Sequence, residues 1–135
     1  MWGYQDYEFQ VPELQGERLQ SLVLFGTPDD AQKLLGRLVS GGAFHAYLSA
    51  FIGFCHETDA EGAEFDVKLY EDVESMDIAQ ALGLHDQPIE GVRCRREGGH
   101  VTLEIVFSSA TVRLVEVDPQ DPHSDSRLEL IRTEA

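Results

Sequence analysis

Gly98 and Gly99 stand side by side between two runs of alternating apolar and polar residues, and no other feature of the chain constrains its fold as much. Both central positions of a tight two-residue hairpin turn need positive φ, which glycine adopts without steric cost. A hairpin closed there sets Val92 and Cys94 opposite Ile105 and Leu103. Ser108-Ser109 supplies a second turn, which brings Val112 and Leu114 against the same two residues. The same register aligns Arg93, Glu104 and Arg113 on the opposite face. One register therefore yields both an apolar ladder and an opposite-charge ladder, with each cross-strand pair contributing about 0.2–1 kcal/mol. A C-terminal three-strand meander is predicted. Arg95 shares the face of Arg93, and Arg96 falls on the other.

Upstream, residues 19–25 read as a buried strand stopped by Gly26. Thr27 suits an N-cap, Pro28 the first helical position, and Asp29 and Asp30 complement the helix dipole. Ala31, Leu34, Leu35, Leu38 and Val39 follow at helical spacing before Gly41-Gly42, which predicts a helix. Residues 43–57 fit either period; their aromatics and an alternating partner favour a strand. That partner is 64–70, where Phe65, Val67 and Leu69 alternate with Glu64, Asp66 and Lys68 beyond a loop at 58–62. A second helix is predicted over 75–82, capped by Ser75 and stopped by Gly83. Residues 7–11 dock as an edge strand after an N-terminal arm; 119–126 form a loop and 127–133 a last edge strand or a tail. At 135 residues the expectation is a single α+β domain: an antiparallel sheet of about five to seven strands with two helices packed on one face.

Composition bears on function through charge. The net charge is −15, from 25 acidic and 10 basic residues. Such a chain is a poor ligand for nucleic-acid phosphates or anionic membranes, so neither is an expected partner. No apolar run approaches the length of a membrane span, and the N-terminus lacks a signal-peptide pattern, so a cytoplasmic location is expected. Cys55 and Cys94 lack metal-site or redox spacing and read as core residues. The negative charge is concentrated: Glu57, Asp59, Glu61, Glu64, Asp66, Glu71, Asp72, Glu74 and Asp77 are opposed only by Lys68.

Nucleotide-binding, hydrolase and metalloprotease motifs are absent. Cys55-His56-Glu57, with Asp59 close by, carries metal-ligand chemistry, but on a strand Cys55 and His56 face opposite ways. The carboxylates of the acidic run lack the burial that would raise a catalytic pKa. No catalytic residue, metal or cofactor is expected. The chain is read as a binding protein rather than an enzyme. Its predicted contact surface is those nine carboxylates together with Tyr70. This profile resembles that of bacterial immunity proteins: a small acidic inhibitor that covers the basic site of a toxin or nuclease-like partner. Two alternatives stand beside it: a nucleic-acid-mimicking inhibitor, and a small enzyme or ligand-binding domain.

Overall fold

The computed structural model describes residues 1–118, 120 and 126–133. Their strands are β1 (Gly3–Asp6), β2 (Phe9–Gln10), β3 (Leu19–Thr27), β4 (Asp30–Leu38), β5 (Ala43–Ser49), β6 (Ile52–Thr58), β7 (Ser75–Asp77), β8 (Gly91–Glu97), β9 (His100–Val106), β10 (Ala110–Glu116) and β11 (Ser126–Arg132). The helices are α1 (Ala60–Leu69) and the five-residue α2 (Ile78–Leu82). Neighbouring strands are antiparallel, and the sheet runs β1-β6-β5-β4-β11-β10-β9-β8-β2. Tyr7 and Glu8 link β1 directly to β2, so the two ends of this path meet and the sheet is nearly closed into a barrel. Off the path, β3 pairs with β4, and β7 pairs with β3.

The meander has the register its turns predict. Val92 and Cys94 face Ile105 and Leu103, which face Val112 and Leu114. Gly98 and Gly99 both take positive φ. On the outer face Arg93, Glu104, Arg113 and Glu129 form one row across β8 to β11. Glu104 is only 1% exposed. Arg93 Nε and Arg113 Nε donate to its two oxygens at 2.9 and 3.1 Å. Arg95 Nε lies 2.9 Å from Oε1 but off the line of a hydrogen bond, so it contributes charge rather than a bond. Burial acts to raise the Glu104 pKa, yet the Arg93 hydrogen bond and the three guanidinium charges outweigh it and hold the carboxyl below its ordinary value.

The fold differs from the α+β expectation in kind. It is mostly β, and its helices do not share a face. Ile78 and Ala79 of α2 join the barrel interior, whereas Ala63 of α1 packs outside it with Phe25 and Leu35. The helix predicted over 27–41 is instead the β3–β4 hairpin. Thr27 does cap a turn, its hydroxyl accepting from Asp30 N at 3.2 Å, but the chain then reverses. Leu34 and Leu38 point into the barrel, and Leu35 is covered on the outer face by α1. Burial on both faces merges two period-2 patterns into an apolar run that imitates a helical stripe. Val39, assigned to that stripe, is 66% exposed. Gly36 is the telling residue, because a Cβ there would come 2.3 Å from the Phe44 ring.

The strand predicted over 64–70 is the C-terminal part of α1. Its buried positions, Ala63 and Asp66, follow helical spacing, and the alternating Phe65, Val67 and Leu69 are exposed. Residues 43–57 are strand, but broken into β5 and β6 by a turn at Ala50-Phe51. Only 78–82 of the predicted 75–82 helix is helical; Asp77, not Ser75, caps it, and Gly83 stops it in the left-handed conformation. Residues 126–132 form β11, while the loop predicted over 119–126 lies, apart from Gln120 and Ser126, outside the described residues.

The barrel's two ends differ. At one, Val11, Leu14, Ile78, Ala79, Leu84, Ile89 and Phe107 plug the interior with apolar side chains. At the other, the inward row ends in Arg96, Val101 and Glu116. Glu116 is 9% exposed, and its Oε1 has no hydrogen-bond partner among the described residues. Burial raises its pKa, opposed by the His100 charge.

The two buried glutamates give opposite pH signatures. The Glu104 carboxyl is held low in the folded state, so its stabilisation is complete above the ordinary glutamate pKa and lost as pH falls through the folded value. The Glu116 carboxyl is held high, so its penalty is present above the folded value and relieved on acidification. Urea titration at neutral pH should show Glu104→Gln destabilised by about 2 kcal/mol, less than for a fully buried pair because water reaches the guanidiniums. Glu116→Gln should be neutral or stabilising there, and a loss comparable to that of Glu104→Gln would contradict this assignment.

Candidate functional site

The acidic run begins where β6 ends. Asp59 caps α1, its Oδ1 accepting from Gly62 N at 2.7 Å, and Glu61 lies in the first turn, where negative charge suits the dipole. The inner face of α1 is fixed at two points. Tyr70 stacks on Phe25 with ring centroids 4.9 Å apart. Asp66, buried, accepts from Lys33 Nζ and lies against His45 Nδ1, both at 3.2 Å. Lys33 Nζ also sits 5.3 and 5.4 Å from the centroids of the Tyr47 and Tyr70 rings, an ammonium held between a carboxylate and two aromatic faces.

These contacts divide the ten predicted contact residues. Asp66 is buried and paired, and the half-buried Tyr70 packs under the helix. Asp77, half-buried, accepts from Leu22 N and from Ala79 N, tying β3 to the start of α2. Glu57 is half-buried and accepts from Trp2 N, and Asp59 is exposed but serves as the cap. Glu61, Glu64, Glu71, Asp72 and Glu74 are exposed, and none makes an ion pair among the described residues. Gly26 N donates to Glu74 O at 2.7 Å, which draws the β3–β4 turn, with exposed Asp29 and Asp30, alongside this set. The sequence reading missed both aspartates because it placed them in the first turn of a helix.

Beside the carboxylates α1 carries apolar residues that no burial pattern had anticipated on the surface. Phe65 is 65% exposed and Leu69, one turn on, 59%. Residues four apart on a helix are neighbours, so the two form one apolar spot next to Glu61 and Glu64.

Cys55 and His56 point to opposite faces, as strand alternation requires. Cys55 is wholly buried, and burial pushes its thiol up to about 12, which keeps it protonated near neutral pH. His56 lies on the outer face with its ring centroid 5.7 Å from that of His45, and burial, then the His45 charge, lowers its pKa. Among the described residues no three His, Cys, Asp or Glu side chains converge to hold a metal ion. Nor is any described helix long and apolar enough to cross a membrane. No protein family matches the chain, and no curated protein or solved structure shows significant similarity to it.

The Asp66 clamp is testable by itself. Asp66→Ala leaves Lys33 under the helix without its counter-ion and should cost about 3 kcal/mol. Hydrogen exchange should then show α1 amides losing protection before those of the meander. Loss of protection in both at once would mean that the helix is not separately anchored.

Proposed function

We propose that this chain is a small acidic binding protein that acts in the cytoplasm as a stoichiometric inhibitor of a basic protein, in the manner of an immunity protein or antitoxin. One observation carries the reading: an apolar pair, Phe65 and Leu69, stands on a clamped helix among exposed carboxylates that make no ion pair among the described residues. Protein interfaces combine an apolar centre with a charged rim in this way. Glu61, Glu64, Glu71, Asp72 and Glu74 steer a lysine- and arginine-rich surface toward the helix, and Phe65 and Leu69 hold it there. The carboxylates occupy cations that the partner uses for its own anionic substrate, and activity is blocked by occlusion. Because Asp66, Lys33 and Tyr70 fix the helix before contact, little ordering entropy is lost on binding.

Affinity capture from the native host at low and high salt tests the reading. The wild-type chain should retain a basic protein at low salt in a one-to-one complex and release it at high salt. Joint Glu61→Lys, Glu64→Lys, Glu71→Lys and Asp72→Lys substitution should slow association by about tenfold or more. Phe65→Asp should instead speed dissociation. Retention of no basic protein, or equal retention by the charge-reversed variant, defeats the proposal.

A further inference from the structure

The polar end of the barrel carries a second site, unrelated to the acidic helix. Of the three arginines in β8, Arg93 and Arg95 lie against Glu104, whereas Arg96 makes no ion pair among the described residues. Arg96 belongs to the other face of the strand, opposite Val101 on β9. Its guanidinium stacks 5.3 Å from the centroid of the Tyr7 ring. Stacking of this kind leaves the in-plane N–H donors free.

Across from it, the β5–β6 hairpin turns through Ala50 and Phe51 with φ of 52° and 67°. Both angles lie in the left-handed region that side chains disfavour, and glycine would meet the turn without that strain. The turn instead projects a phenyl ring. Tyr7, Phe51, Arg96, Gly99 and Val101 together line a cavity of about 250 Å³. Glu116 lies one register step beyond the Thr102–Val115 pair, level with Val101 and inside the barrel.

We propose that this mouth binds a small aromatic carboxylate. Arg96 takes the carboxylate through its free donors, and Phe51 and Tyr7 hold the ring over Val101. A cavity of about 150 Å³ accepts benzene, so one substituted ring fits the space. The two-residue turn itself requires the positive φ, and this role accounts for a phenylalanine standing there in place of glycine. Glu116, at the same level, is turned into the barrel and only 9% exposed, so its carboxyl stands back from the mouth.

The test uses benzoate and, as a control with the same ring and opposite charge, benzylamine, each titrated into the isotope-labelled full chain. Benzoate should give saturable amide shifts in residues 49–53 and 96–101, and benzylamine should not. Arg96→Gln should weaken benzoate binding by about tenfold or more, the usual cost of a lost charge-assisted contact. Phe51→Gly should raise the melting temperature while abolishing the shifts, a pairing that damage to the fold would not produce. Absence of saturable shifts with benzoate, equal binding of benzylamine, or unchanged affinity in Arg96→Gln would each overturn the proposal.

Discussion

A carboxylate buried in the face of a β-sheet is tolerated only if charge comes to it, and Glu104 draws in three arginines. This sets how the remaining charge is distributed. The chain has ten lysines and arginines, and Glu104 alone occupies Arg93, Arg95 and Arg113. Glu129 engages Arg127, and Asp66 engages Lys33. Half of the cations are thereby committed to partners within the fold. The exposed carboxylates of α1 and the following loop, by contrast, make no ion pair among the described residues. The same row ties four strands of the barrel wall together.

The meander was legible because its signals are local and agree with one another. Gly98-Gly99 specifies the turn, the turn specifies the register, and the register aligns both ladders. The barrel was not legible, because what closes it is long-range. Two residues, Tyr7 and Glu8, carry the chain from the β6 edge to the β8 edge, and no period in the sequence announces that step. β4 was misread for a related reason. A strand covered by the barrel core on one face and by α1 on the other loses its alternation, and whether a second layer covers it depends on residues more than twenty positions away. Gly36 was the available clue, since glycine is costly inside a helix and fits a strand crossed closely by an aromatic ring.

The acidic run shows how far composition reaches. Its location and density could be read directly, but not which carboxylates face water. Asp59, Asp66 and Asp77 are the ones the fold uses, as cap, clamp and tie. Short aspartate side chains stay near the backbone and bond its N–H groups readily, which suits Asp59 and Asp77 to such work, whereas Asp66 bonds side chains. Apart from Glu57, which is half-buried and accepts from Trp2 N, the glutamates are left outside. Had 64–70 been a strand, Asp66 would have shared the wet face with Glu64. As a helix, the same residues turn Asp66 inward and send Phe65 out.

The two tight turns at the polar end of the barrel solve one geometric problem with different residues. At Gly98-Gly99 the positive φ values carry no penalty. At Ala50-Phe51 the same kind of reversal costs about 1–2 kcal/mol per residue in left-handed backbone. In a barrel whose other end is plugged by aliphatic and aromatic side chains, that cost is not needed to complete the core. What it secures is the position of one ring, facing an arginine that pairs with no carboxylate among the described residues. A strained aromatic and a cation with no ion pair among the described residues thus converge on one cavity, at the end of the barrel that the core does not fill.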